Sequence, residues 1–413
     1  MGETYSIIEA SKILSVSTET LRRWDRDGKL KANRNPENNY RYYHVEQLES
    51  MSVSDLFTAY NQKSSVVPMR AYKSIELFAG AGGMALGMEK AGFRHTLLND
   101  FDRYATDTLK KNRPQWNVIH GDVSQIDFKP YKDKIDLLTG GFPCQTFSYA
   151  GKKMGMEDTR GTLFYEFARA LKESQPKVFL AENVKGLFSH DKGRTLQTMV
   201  EVFESMGYEV LSPRVLKAIH YQVPQKRERL FIIGIKKEYA SAVSFVWPTG
   251  SSKIYTLKDA LKKGDLFDTD VQVSPGQEYP EKKKKILDLI PPGGYWRDLP
   301  IDLQKEYMMK SFYLGGGKTG IARRISWDEP SLTLTCSPAQ KQTERCHPDE
   351  TRPFQVREYA RIQTFPDQWK FEGSMTQQYK QIGNAVPVNL AYALGTSLVG
   401  LLNEIEKIKN AKV

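Results

Sequence analysis

"KSIELFAGAGGMALGMEKAG", Lys73 to Gly92, reads as a strand, a glycine-rich turn and a helix. Gly80, Gly82 and Gly83 let the backbone turn tightly and let a ligand approach it closely. The same alternation continues downstream. "TLLND" is a strand, "YATDTLKKN" a helix, "VIHGDV" and "IDLLTGG" strands, "TLFYEFARALKESQ" a helix and "KVFLAENV" a strand. "TLQTMVEVFESMG" and "RLFIIGI" add a helix and a buried strand. Alternating strands and helices of this length predict βαβ units, hence an α/β fold with a doubly wound, mostly parallel sheet. Such sheets bind ligands outside the carboxyl ends of their strands, so the strand ends are where chemistry is sought.

The 413 residues suffice for two or three domains, and 40% hydrophobic with 26% charged residues is an ordinary globular composition. A net charge of +11 and a pI near 9.2 favour a polyanionic partner. "MGETYSIIEA" lacks the features of an export signal, and no uninterrupted apolar run has the length of a membrane span. Three cysteines, Cys144, Cys336 and Cys346, point to a reducing cytoplasm. The expectation is therefore a cytoplasmic protein at the nucleoid with no membrane partner.

"TYSIIEASKILSVSTETLRRWDRDGKLKANRN" (Thr4–Asn35) predicts two short helices about a tight turn. The first carries Ile8, Ala10, Ile13 and Leu14; the second starts at Ser17 or Thr18 and ends at Gly28. "NNYRYYHVEQLESM" adds a turn, an extended piece and a helix, giving a helix-turn-helix with a wing. Arg22, Arg23 and Trp24 on the second helix are candidate DNA contacts, with Arg41 in the wing. The stretch resembles the DNA-binding unit of MerR-type regulators and phage excisionases. "NQKSSVVPMRAYK" (Asn61–Lys73) reads as a linker.

Three strand ends suit an adenosine without a pyrophosphate. The glycine turn is not G-x-G-x-x-G, Asp100 ends the second strand as a ribose-hydroxyl acceptor, Phe101 offers a stacking face, and Asp122 an acceptor for an adenine amino group. S-adenosylmethionine fits this set better than a nicotinamide. The next strand ends bring reactive groups. Cys144 follows Pro143 in "GGFPCQTFSYAG" (Gly140–Gly151), Glu182 lies in "AENV", and Arg227 and Arg229 lie in "QKRERLF". A thiol, a carboxyl and two guanidiniums on the rim of a methyl-donor pocket can act together as nucleophile, acid and anchors.

These blocks, with "GKKMGMEDTRGTLFYEFARAL", "REYARIQTFPD" and "YKQIGNAVPV", resemble the successive motifs of cytosine-5 DNA methyltransferases over nearly all of residues 73–400. The resemblance implies a two-lobed enzyme that converts S-adenosylmethionine to S-adenosyl-L-homocysteine, without a metal, and modifies double-stranded DNA. It implies Cys144 as the nucleophile on C6 of a flipped cytosine, Glu182 at N3 and the exocyclic amine, Arg229 holding the base and Arg227 supporting the pocket. It places the cofactor against Phe78, Gly80, Gly82, Gly83, Asp100, Phe101, Asp122, Val123, Pro143, Leu163, Asn384 and Val386. Gln145 and Ser148 join the DNA contacts, and "SYAGKKMGMEDTRG" (Ser148–Gly161) matches a loop that closes over DNA.

The implied layout is a DNA-binding domain over 1–60, a linker over 61–73 and a catalytic domain over 74–254. A target-recognition domain over 255–352 follows, and 353–413 completes the catalytic part, with "GNAVPV" returning beside the first glycine turn. The implied role is the modification half of a restriction system, with residues 1–60 binding the gene's own promoter. The oligomeric state is left open. The rival readings are tRNA methylation, disfavoured by the long recognition segment, and an idle DNA-binding regulator, disfavoured by the intact reactive set. "GGGKTG" (Gly315–Gly320) lacks a phosphate-loop context, "EKKKK" (Glu281–Lys285) reads as a solvated helix face, and Cys336, Cys346 and His347 lack the paired spacing of a zinc site. "TCSPAQKQTERCHPDETRP" (Thr335–Pro353) reads as a polar, DNA-contacting loop.

Overall fold

The computed structural model describes residues 4–13, 18–26, 28, 30–35, 39–44, 47–48, 66–143, 163–315, 318–340 and 343–411. The chain divides into two units, Met1–Ser65 and Val66–Val413.

In the first unit, β1 (Thr4–Ser6), α1 (Ile7–Ile13), α2 (Thr18–Arg26), β2 (Asn33–Arg34) and β3 (Arg41–His44) form a helix pair and a three-stranded antiparallel wing with β3 central. Ser6 and Glu9 cap α1 reciprocally. The Ser6 N–H donates to the Glu9 carboxylate at 2.8 Å, and the Glu9 N–H donates to the Ser6 hydroxyl at 3.3 Å. Ala10, Leu21, Leu30, Tyr43 and Leu48 make the core, with Ile7 and Trp24 packed against it. Ile8, one of the apolar residues of α1, is 59% exposed. Helical spacing puts Ile7 and Ala10 on one side, and Ile8 falls about 100° round from Ile7. Asp25 ties α2 to the wing, accepting from Arg41 Nε at 2.7 Å and from the Ala32 N–H at 3.1 Å.

The second unit is built on β4 (Tyr72–Leu77), α3 (Gly83–Ala91), β5 (Phe93–Asp100), α4 (Arg103–Asn112), β6 (Val118–His120) and β7 (Leu137–Gly140). It continues with α5 (Leu163–Ser174), β8 (Val178–Val184), α6 (Arg194–Ser205), β9 (Tyr208–Val210), β10 (Arg214–Lys217), β11 (Gln225–Lys226) and β12 (Glu228–Lys236). The main sheet runs β10-β12-β8-β7-β4-β5-β6, with β9 also on β12. β4 to β8 are parallel, as the alternating pattern predicts. β12, the "RLFIIGI" strand, is antiparallel to β8, β9 and β10. No helix crosses over between β10 and β12, so the chain reverses beside its neighbour instead of returning parallel.

The later elements are α7 (Leu257–Leu261), α8 (Glu281–Leu287), α9 (Ile301–Met308), β13 (Ser331–Leu332), α10 (Val356–Ile362), α11 (Met375–Asn384) and α12 (Val388–Asn410). α12 lies against α3 at very short range. A Cβ on Gly87 would stand 2.4 Å from Ala391 Cβ, and one on Gly395 2.7 Å from Ala91 Cβ. The stretch Met375–Asn410 has the length and apolarity of a bilayer-spanning helix. Pro387 separates α11 from α12, and α12 buries Leu390, Leu394, Leu398 and Leu402 within the core beside α3 and the sheet.

At the sheet edge opposite the strands' carboxyl ends, four charged side chains interlock. Arg70 donates to both Asp136 oxygens (2.8 and 2.5 Å) and to Glu406 (2.9 Å). Lys177 donates to Asp136 (2.7 Å) and to Glu406 (2.8 Å). Burial pushes Asp136 up, but hydrogen bonds from Arg70, Lys177 and the Lys73 N–H outweigh it and hold the carboxyl below its usual range. The Arg70 hydrogen bond draws Glu406 down to about 2. Beside them Asn403 accepts from the Met69 N–H (2.9 Å) and donates to the Val67 carbonyl (3.0 Å).

Residues 255–352 divide between two cores. Leu257, Ala260 and Leu261 of α7 pack with Phe354, Tyr359 and Ile382 of the C-terminal part, whereas Tyr279, Leu287, Trp296, Met308 and Cys346 form a core of their own. Two expectations change here. The "EKKKK" helix is not wholly solvated, because Lys283 turns inward onto Glu344 and donates to the Ala339 carbonyl at 2.9 Å. The stretch after Thr335 is not simply a surface loop, because Glu344, Arg345, Cys346 and His347 are buried. They find partners inside the fold: Tyr307 donates to Glu344 at 2.7 Å, and Arg345 donates to the Thr333 carbonyl at 3.0 Å.

Candidate active site

The glycine turn after β4 has the geometry that its composition demands. Phe78, Gly80 and Gly82 have φ of 57°, 54° and 84°. A Cβ on Gly82 would meet Leu109 at 2.6 Å, and one on Gly83 would meet the Val386 carbonyl at 2.2 Å. The GNAVPV segment therefore does return beside the first turn, and only glycine permits the approach. At Gly80 a Cβ would meet nothing within 4 Å, which leaves an open cradle at the end of β4. Trp369 braces the turn from the C-terminal part by donating from Nε1 to the Ala81 carbonyl at 3.1 Å.

Asp100, at the end of β5, faces this cradle and also supports it. One carboxylate oxygen accepts from the Gly80 N–H (2.7 Å) and the other from the Asp102 N–H (2.8 Å). Each oxygen keeps a lone pair for a ribose hydroxyl. Burial raises its pKa against the pull of those two N–H groups. Phe101 is 76% exposed, a free aromatic face on the rim. Asp122 lies two residues beyond the end of β6, exposed, accepting from the Ser124 N–H at 2.9 Å. Val123 and Val386 are buried, Leu163 packs on the main core, and Pro143 and Asn384 are exposed. The pieces fit an adenosine-bearing cofactor: a glycine cradle, a ribose-height carboxylate and an exposed ring at adjacent strand ends.

Glu182 and Arg229 occupy facing strands. Phe231 is the register partner of Glu182, and Arg229, two residues earlier on β12, lies on the same face. Arg229 Nε and Glu182 Oε1 are 2.8 Å apart. Burial pushes the Glu182 carboxyl above its ordinary range, against the opposing charges of Arg229 and Arg227. Gly141 makes room for it, since a Cβ there would stand 2.7 Å from Glu182 Oε2. Arg227 is 1% exposed. It donates to the Leu334 carbonyl (3.2 Å) and the Gly383 carbonyl (2.8 Å), joining the segment after β13 to the end of α11. Burial and the neighbouring Arg229 bring its pKa down to about 9.

Asn183 is a site residue that the sequence reading missed. Its Nδ2 donates to the Phe142 carbonyl at 2.8 Å, fixing the backbone that leads into Cys144. The available signal was an amide inside the buried strand "VFLAENV", where a polar group needs a partner. Cys144, Gln145 and Ser148 lie outside the described residues, as does the Arg23 side chain. In the first unit Arg22 is exposed on α2, Trp24 is turned partly into the core, and Arg41 is paired with Asp25. Cys336, Cys346 and His347 each face a different partner. Cys336 contacts Asn384, Cys346 is buried against the Glu350 carbonyl, and His347 accepts from the Asp349 and Glu350 N–H groups. Among the described residues no group of three or more His, Cys, Asp or Glu is placed to hold a metal.

The C-5 cytosine-specific DNA methylase model matches residues 72–400, and the MerR family regulatory protein model matches residues 6–43. The type II methyltransferase M.Eco47II of Escherichia coli is 63% identical over 408 residues, 98% of each chain. M.PspPI of Psychrobacter sp. (strain TA137) is 56% identical over 405 residues, covering 98% of this chain and 97% of that one. Among solved structures, a putative DNA modification methyltransferase encoded within an E. coli prophage shares 26% identity at a TM-score of 0.57, over 81% of this chain and 100% of its own. A Spodoptera frugiperda DNMT2 mutant shares the fold, at a TM-score of 0.55 and 17% identity over the same 81%. With the family model spanning 72–400 and relatives this similar along their whole length, the chain belongs to the C-5 cytosine-specific DNA methylase family and carries a MerR-like region before it.

Proposed function

We propose that this S-adenosylmethionine-dependent DNA cytosine-5 methyltransferase works by covalent catalysis from Cys144 on a base flipped out of the duplex, as the modification enzyme of a restriction system in the cytoplasm. The observation that carries the reading is the Glu182–Arg229 pair at 2.8 Å beside the Pro143 turn, with the glycine cradle at the neighbouring strand end. C5 of cytosine is a weak nucleophile, so a thiolate first adds to C6 and makes C5 enamine-like. That addition needs the base outside the stack, at a cost of a few kcal/mol.

Glu182, with its raised pKa, supplies a proton or hydrogen bond at N3 as charge builds there. Arg229 orients that carboxyl and holds the base. Arg227, out of solvent contact, locks the two segments behind it. Gly80, Asp100 and Phe101 would hold S-adenosylmethionine, with Asp122, Leu163, Asn384 and Val386 at its edges; the cofactor supplies an electrophilic methyl group. Loss of the C5 proton and expulsion of the thiol then give 5-methylcytosine. Bisulfite sequencing of plasmid from expressing cells tests the reading. Protected cytosines at one short motif are expected, and none with Cys144→Ala; wild-type protein that protects no cytosine overturns it.

The first unit is proposed to read the promoter of its own gene. The winged helix pair and exposed Arg22 on α2 support DNA binding. In a mobility shift, residues 1–68 should retard upstream DNA at lower concentration than random duplex. Equal retardation reduces the unit to a general affinity arm.

A further inference from the structure

The segment leaving the recognition region is bolted to the cofactor side of the molecule. β13 pairs in parallel with β11, Gln225 opposite Ser331 and Lys226 opposite Leu332. The Leu334 N–H donates to Gln225 Oε1 at 2.9 Å, and Arg227 bridges the Leu334 and Gly383 carbonyls. Gly383 is flush with this segment: a Cβ there would stand 2.3 Å from the Thr335 carbonyl oxygen and 2.9 Å from the Cys336 nitrogen. Two backbones are thus held in contact immediately before two side chains that meet. The Cys336 thiol lies 3.0 Å from Asn384 Oδ1, as donor to acceptor.

We infer that Cys336 is a positioning residue for the cofactor: its thiol occupies Asn384 Oδ1, so the carboxamide presents its NH₂ edge to the methyl donor. The inference rests on the proposed place of Asn384 in the cofactor pocket. A carboxamide has one acceptor end and one donor end on a planar group. Left free in solvent, it turns either end to a ligand; committed at Oδ1, it offers hydrogen-bond donors alone. The amino-acid portion of the cofactor carries a carboxylate, the natural acceptor for such an edge.

The thiol is suited to the task. Although Cys336 is exposed, partial desolvation of its thiol pushes the pKa up against the pull of Arg227 and Lys380, so it keeps its proton at neutral pH and donates. The recognition segment therefore does more than meet DNA. Its exit strand supplies a wall of the cofactor site, through a residue outside the motif blocks that mark the family in this sequence.

Calorimetric binding of S-adenosylhomocysteine to the full-length protein tests this without turnover. Cys336→Ala should weaken binding about threefold to tenfold, the effect of one lost neutral hydrogen bond, and Cys336→Ser should return to within about twofold of wild type. Asn384→Ala should weaken binding at least as much, and Cys336→Ala should add nothing further on that background. Unchanged affinity in Cys336→Ala, with Asn384→Ala weakened, overturns the positioning role. A serine variant as weak as the alanine one also overturns it, because a steric effect would then suffice. Unchanged affinity in Asn384→Ala overturns instead the placement of Asn384 in the pocket.

Discussion

Glu182→Gln is expected to slow methyl transfer about a hundredfold to ten-thousandfold, the range in which a positioned acid or base contributes. Duplex DNA and S-adenosylhomocysteine should still bind. Glutamine keeps the size and an N–H to offer, but it has no proton to deliver to N3. The pH profile adds a second readout. Because burial raises the pKa of Glu182, its acid form persists to higher pH than that of a solvated glutamate. A step that uses the acid form is fastest below that raised pKa and declines as pH rises through it. The glutamine variant should lack this limb. A variant that keeps wild-type single-turnover rates, or one whose limb survives, removes Glu182 from proton transfer.

Arg227→Ala should be the most damaging change to the fold near the site, at about 3–5 kcal/mol, as for truncating a large side chain within a buried, hydrogen-bonded polar cluster. The side chain is fully enclosed and serves the carbonyls of Leu334 and Gly383, more than a hundred residues from it along the chain in each case. Without it both acceptors lose a buried donor and a large cavity opens. Arg227→Lys should recover little, since one ammonium cannot span two carbonyls as a guanidinium fork does. Denaturant unfolding measures the loss. A change under about 1 kcal/mol would mean that the cluster is held by Gln225 and Gln363 instead. Those two amides are themselves joined at 3.0 Å.

What could be read along the chain was whatever is decided locally. Gly82 and Gly83 marked a turn because a tight backbone leaves only glycine, and their neighbours Leu109 and the Val386 carbonyl explain why no side chain fits. The strand ends followed from alternation, so Glu182 and Asp100 stand near the ends of β8 and β5 as the pattern placed them, whereas Arg229, read as lying just before its strand, is already inside β12. Pairings across the fold were not legible. Nothing beside Asn183 in the sequence indicates the Phe142 carbonyl, and nothing beside Asp100 shows that it would brace the Gly80 N–H. Charged residues mislead most. Lys283, Glu344 and Arg345 look solvated in "EKKKK" and "TERC", yet they are turned inward onto one another or onto backbone carbonyls. Burial of such groups depends on partners tens of residues away. The reversed direction of β12 follows from how the chain connects β10 to it, not from its apolar composition.

The interlock at the far edge of the sheet has a topological consequence. Met69, just before the first strand, and Asn403, near the end of the last helix, are one hydrogen bond apart. Arg70 and Glu406 repeat the contact with charge. Though linear in sequence, the catalytic unit is a closed ring in space, its seam held by side chains in place of a peptide bond. Linking the two ends would need only a short connector and little loop entropy. The order in which the motifs occur along the gene is thus separable from the order in which they sit around the sheet, and the cut between last and first is a convention of the chain, not of the fold.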